Sequence, residues 1–170
     1  MQGFSGILQV DGYAGYNRLL KRPTQDVTPA YCWAHARRKP HEVTQSSTAP
    51  IAQEGLIQIQ ALYRIEKDLR GLSADQRCAA KQDRSKPIID AFELWLAQHR
   101  ARVSTKSLTG EALKYIAKYW NGLCLFLDDG RIELDNNPVE RTIRPIALNR
   151  KMRSSQDTML VHKTGPSPPP

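Results

Sequence analysis

Two carboxylates stand where metal chemistry could use them. Asp11 closes an apolar run, Phe4-Ser5-Gly6-Ile7-Leu8-Gln9-Val10, and precedes Gly12. Glu140 follows Asn136-Asn137-Pro138-Val139. The two acids are 129 positions apart, so only the fold can bring them together. A strand-end carboxylate and a helix carboxylate that converge can hold two divalent ions roughly 3.5–4 Å apart. Such a pair activates a nucleophile on a phosphodiester and stabilises the leaving oxygen. Oxygen ligands of this kind suit Mg²⁺. Each acid also has a purely structural explanation. Asp-Gly after a strand makes an ordinary turn. Asn137 is a good N-cap and Pro138 fits the first helical position. Glu140 then falls at the third, where it stabilises a helix start by itself.

Basic residues flank both acids. Arg37, Arg38 and Lys39 form one cluster; Arg141, Arg144, Arg150, Lys151 and Arg153 form another, with no acidic residue between Arg141 and Arg153. Side chains of this kind neutralise phosphates and give affinity without sequence preference. A solvated helix face is the plainer alternative. Cys32-x-x-His35, with His41 nearby, supplies three zinc-type ligands and no evident fourth. His35 could equally orient a phosphate or sit in the core as a polar residue. Trp33, Trp95 and Trp120 occupy apolar positions of periodic segments and are expected in the core. No glycine-rich phosphate loop, nucleophile elbow or dinucleotide fingerprint occurs.

The elements that must position these groups follow from patterning. Residues 4–10 read as a strand with Asp11 at its carboxyl end. Residues 13–20 read as a short helix closed by Lys21-Arg22-Pro23. Residues 27–33 read as a second strand, where Pro29 marks an edge or a bulge. A basic helix begins at Ala34, and Pro40 is expected to kink or stop it. From about Val43 to Leu127 the period becomes 3.6. Leu56, Ile59, Leu62, Tyr63 and Leu69 share one face; Ile88, Phe92, Trp95, Leu96 and His99 a second; Leu113, Ile116, Trp120, Leu123 and Leu127 a third. Ser73 followed by Gln76 fits a capping box before a weaker helix. Residues 129–135 read as a turn and a short extended piece, and Asn136 to Arg141 as another helix start. Residues 154–170, with five glycines and prolines among the last six positions, are expected to be a disordered tail.

Composition bounds the rest. A chain of 170 residues holds one domain, or one domain with an insertion. Lys plus Arg numbers 25 against 17 for Asp plus Glu, a net charge of +8 with a pI near 9.6, which favours a polyanionic partner such as nucleic acid. The longest purely apolar run, residues 123–127, is far short of the roughly 20 residues that span a bilayer. No basic stretch leads into an apolar one after Met1, so no secretory signal is expected. Three widely spaced cysteines, Cys32, Cys78 and Cys124, fit a reducing, cytoplasmic setting better than a disulfide framework.

Three motifs in order carry a family resemblance: Leu8-Gln9-Val10-Asp11-Gly12-Tyr13-Ala14-Gly15-Tyr16-Asn17, then Cys32-Trp33-Ala34-His35-Ala36-Arg37-Arg38-Lys39, then Asp129-Gly130-Arg131-Ile132-Glu133-Leu134-Asp135-Asn136-Asn137-Pro138-Val139-Glu140-Arg141 with Arg144-Pro145 and Asn149-Arg150-Lys151. Together they resemble the insertion sequence 66 (IS66) family of bacterial transposases over roughly residues 4–151. The resemblance implies an α/β fold that is mostly helical overall, a partial ribonuclease-H-like core of the Asp-Asp-Glu type interrupted by a large all-helical insertion. On that pattern residues 4–40 and 128–151 make the core, 41–127 the insertion and 152–170 a tail. Asp11 matches the second acid and Glu140 the third, both as ligands of Mg²⁺ or Mn²⁺. The implied activity is metal-dependent cleavage of transposon ends and strand transfer into target DNA. Arg37, Arg38, Lys39, Arg141, Arg144, Arg150 and Lys151 would hold the DNA backbone. A homo-oligomer, or association with an intact transposase, would complete the machinery, in the cytoplasm and on the nucleoid when DNA-bound.

The sequence departs from that pattern in three places. The first catalytic Asp would lie upstream of Met1. Pro40 replaces an aromatic residue. The segment after Lys151 resembles out-of-frame translation. The expectation is therefore an incomplete copy, inactive alone. The alternatives are a non-catalytic DNA-binding remnant and a decayed pseudogene product.

Overall fold

A computed structural model describes residues 6–10 and 27–135, all within the first of the chain's two compact units, Met1–Asn136. This part is mostly helical and carries one small sheet. Strands β1 (Gly6–Val10) and β2 (Val27–Tyr31) pair in parallel, with Gly6 opposite Val27 and Val10 opposite Tyr31. Pro29, which cannot donate to a ladder, faces Leu8 in an edge strand. The expected second strand stops two residues short of Trp33, because Trp33 opens a helix.

The helices follow as α1 (Trp33–Ser46), α2 (Pro50–Asp68), α3 (Ala74–Ala80), a π-helical segment (Lys81–Ser85), α4 (Lys86–Arg102), α5 (Leu108–Lys118) and α6 (Trp120–Cys124), closed by a 3-10 turn (Leu125–Leu127). The periodic faces are the buried ones. Ile59, Leu62 and Leu69 on and beside α2, Phe92 and Leu96 on α4, and Leu113 and Ile116 on α5 all lie inside. The Ser73–Gln76 capping box forms in both directions, each residue's side chain accepting from the other's amide. Ser107 caps α5 by accepting from the Gly110 amide.

Three expectations need correction. Pro40 does not stop the helix: α1 runs through it to Ser46, and Pro40 is buried. One backbone hydrogen bond is forgone there, and burial of the ring offsets it. The third apolar face is not one helix. It breaks after Lys118, where Tyr119 leaves helical geometry and its ring meets Tyr31 at 4.4 Å. Residues 129–135 form a turn and an irregular stretch, with no strand. The expectations for residues 13–20, for the helix at Asn136 and for the tail lie outside the described residues.

The core is aromatic at its centre. Phe92 stacks on Trp120 at 5.6 Å and meets Trp33 edge-on at 5.9 Å and Trp95 at 5.1 Å. Trp33 is fully buried, and its indole N–H donates to the Leu123 carbonyl at 2.8 Å. That bond removes the penalty of burying the ring's polar edge. All three tryptophans thus belong to the core, Trp95 and Trp120 at its margin. Against β2, Gly122 of α6 leaves no room for a Cβ beside the Pro29 carbonyl and the Tyr31 ring, so the helix can close on the strand.

Candidate functional site

The carboxyl ends of the two strands are the place to which the sequence motifs lead. Val10, the last residue of β1, is buried, and its carbonyl accepts from the Cys32 amide at 3.1 Å. Asp11 is the next residue. The chain returns to this end after the helices, through residues 129–135. Asp129 opens the return as an Asx turn: its carboxylate accepts from the Arg131 amide at 2.8 Å and from the Arg131 guanidinium at 2.6 Å. Those bonds hold the Asp129 carboxyl down at about 2. Gly130 passes so close to the Ala74 carbonyl that a Cβ would collide with it.

Beyond the turn, Ile132 and Leu134 are buried and Glu133 is exposed. Three successive carbonyls are then captured by three different elements. Lys81 Nζ donates to Ile132 O at 2.6 Å, Gln9 Nε2 to Glu133 O at 2.8 Å, and the Trp33 amide to Leu134 O at 3.0 Å. The return segment is thereby docked against β1, against the start of α1 and against the helical region at once.

The basic cluster divides. Arg38 and Lys39 are exposed and share Glu42, at 2.9 and 3.8 Å. Arg37, also exposed, lies near Tyr63, where its charge opposes a strong upward shift. Burial is the main cause of that shift, and the neighbouring Asp135 and Cys32 add to it. Tyr63, Cys32, Arg37 and Asp135 therefore gather around the end of the return segment. The proposed zinc ligands separate in character: Cys32 is buried, His35 half-buried and His41 exposed. Among the described residues no three His, Cys, Asp or Glu side chains converge as metal ligands. His35 Nδ1 is buried without a hydrogen-bond partner among those residues. Asp11, Glu140, Arg141, Arg144, Arg150 and Lys151 lie outside them.

Sequence reasoning missed one cluster altogether. Lys81 is fully buried, 3.7 Å from Glu66, with its ammonium 5.5 Å from the centre of the Phe126 ring. Arg77 pairs with Glu66 and, at 2.8 Å, with Glu133. Burial pulls the Lys81 ammonium below its ordinary range, and Glu66 partly restores it. Charged residues on a helix normally face water, so nothing in composition singles these out.

Among the described residues no helix is long and apolar enough to cross a membrane. The sequence model described as the transposase IS66 family matches residues 1–159, three residues earlier and eight later than the motifs alone suggest. Three proteins of Sinorhizobium fredii (strain NBRC 101917 / NGR234) are similar along most of the chain. The uncharacterized protein y4hP is 39% identical over 165 residues, covering 89% of this chain and 30% of its own length. The uncharacterized proteins y4jD and y4qI are each 41% identical, over 155 and 157 residues, covering 89% of this chain and 30% and 29% of their own lengths. The chain thus spans about a third of the length of these relatives. No solved structure matches it. With the family match covering nearly all of the sequence, and with its three motifs in order, the chain belongs to the IS66 family of transposases.

Proposed function

We propose that this chain is the carboxyl-terminal part of a catalytic region that cuts and joins DNA by metal-assisted phosphoryl transfer. Asp11 and Glu140 are two of its acidic ligands. The observation that carries the reading is the docking of the return segment at the carboxyl ends of β1 and β2. Asp11 directly follows Val10, and Glu140 stands five positions after Asp135. The described stretches that precede the two acids in the chain, β1 and residues 132–135, are thus docked on one another. Ligands in open α/β sheets bind at the carboxyl ends of the strands.

In this reading residues 4–40 and 128–151 form a partial ribonuclease-H-like core, 41–127 are the helical insertion and 152–170 a tail. The 40/41 junction then falls inside α1. Asp11 and Glu140, hard oxygen donors, would hold Mg²⁺ or Mn²⁺. The ions would activate the attacking hydroxyl or water and neutralise the leaving oxygen. Arg37, Arg38, Lys39, Arg141, Arg144, Arg150 and Lys151 bind the phosphate backbone, positioning DNA without reading its sequence. Arg37 carries more of this role than Arg38 or Lys39, which already share a carboxylate. The partner is DNA, transposon ends and target alike, and the setting is the cytoplasm and nucleoid.

A thermal melt of the 170-residue chain with and without Mn²⁺, beside Glu140→Gln, tests this. A ligand that binds only the folded state raises the midpoint. A rise in the parent that Glu140→Gln abolishes supports converging acids. A cooperative melt indifferent to Mn²⁺, with salt-sensitive DNA binding, replaces this reading with a non-catalytic DNA-binding remnant. No cooperative melt replaces it with a decayed fragment.

A further inference from the structure

We propose that Lys81, with Glu66 and Arg77, is a positioning device of the helical region. It holds residues 132–135, the stretch that precedes Glu140 in the chain, in place on the helical region. The inference rests on the reading of Glu140 as a functional acid.

A fully buried lysine is a costly choice for filling space. An ammonium removed from water needs charge partners and hydrogen bonds, and an apolar residue of similar volume often serves stability as well or better. What the ammonium adds is direction. Lys81 Nζ donates to one carbonyl, that of Ile132, at 2.6 Å. Glu66 lies 3.7 Å from the same nitrogen and also pairs with Arg77. Arg77 reaches on to the carboxylate of Glu133, the very next residue of the return segment. The insertion therefore grips two consecutive residues, one by backbone and one by side chain. Gln9 and Trp33 take the following two carbonyls. The Arg77–Glu133 pair is the contact among these that a slip of one residue would lose outright, because the other acceptors are backbone carbonyls.

The local helix is built for this grip. Pro87 has no amide hydrogen to offer, and the chain approaches it through the π-helical segment, where the Lys86 amide donates to the Lys81 carbonyl. Lys81 and Ser85, four positions apart on this segment, are both buried, at 0% and 1% exposure. Single π turns within α-helices recur at functional positions.

Hydrogen exchange on the whole 170-residue chain tests the proposal, with Lys81→Met, Glu133→Gln and Glu140→Gln beside the parent. In Lys81→Met we expect parent-like circular dichroism. The amides of Trp33 and Ile132 should exchange at least tenfold faster, those of α2 and α4 should be unchanged, and the Mn²⁺-induced rise in melting midpoint should shrink. Glu133→Gln, at an exposed position, should act in the same direction and less strongly. Lys81→Met that folds and leaves Trp33 and Ile132 protected overturns the proposal. So does uniform acceleration across all helices, which marks general destabilisation. If Lys81→Met does not fold, Glu133→Gln decides: unchanged local protection overturns the proposal, and local loss supports it. A local effect in a chain whose parent ignores Mn²⁺ supports the device and overturns the metal reading alone.

Discussion

The aromatic centre and the charged clasp bury side chains by opposite means. Around Phe92, three tryptophans fill space with large apolar surfaces, and the one polar group buried deepest there, the Trp33 indole N–H, has a carbonyl partner. Around Lys81, charges are removed from water and compensate one another. The first arrangement tolerates small shifts, because dispersion and hydrophobic burial have little direction. The second does not, because each bond has one geometry. The centre gives the domain its stability, and the clasp ties a particular stretch of chain to a particular place.

The comparison can be broken most sharply at the centre. Phe92→Ala should cost about 4 kcal/mol, the usual penalty for a large aromatic cavity, measured by urea unfolding. Glu66→Leu should cost about 3 kcal/mol, because it leaves the fully buried Lys81 without its nearest anion and Arg77 with only Glu133. If Glu66→Leu costs nothing, the clasp is not a compensated cluster and the contrast fails. Ser73→Ala should cost about 1 kcal/mol through the lost N-cap. It should destabilise α3 and leave the aromatic centre as protected from exchange as before. The smallest effect concerns acid. The Asp129 carboxyl is depressed to about 2 from an ordinary 3.8, so its contribution is present above pH 3.8 and is lost as pH falls towards 2. Asp129→Asn should flatten that part of the acid limb of the melting curve and change nothing at neutral pH beyond a small uniform offset.

Much of the helical region is legible in the residues. A 3.6 period at Ile59, Leu62 and Leu69, or at Phe92 and Leu96, reports a buried face because one face must leave water. The Ser73–Gln76 pair announces a helix start by local hydrogen bonding alone. What fails to read out is tertiary. Pro40 carries a breaker signal that packing overrides. The break after Lys118 falls where Tyr119 meets Tyr31, a residue distant in sequence. Lys81 and Glu66 look like surface residues until the fold encloses them. The candidate site divides similarly. Asp11 and Glu140 become conspicuous through motif resemblance, since an Asp-Gly turn and a Glu at a helix start have ordinary explanations. The docking of residues 132–134 beside Val10 has no sequence signature, because its acceptors are backbone carbonyls that every residue possesses.

The bonds holding those three carbonyls join positions 9 and 133, 33 and 134, and 81 and 132. Each closes a long loop, and its entropic cost falls before any bond rewards it. The helices' own backbone bonds are local and carry no such debt, although their packing does, as in the Trp33 bond to the Leu123 carbonyl. The return segment should therefore be the last part of the described chain to reach its place during folding and the first to leave. Substitutions there should speed unfolding and leave the folding rate nearly untouched, the kinetic signature of interactions absent from the transition state.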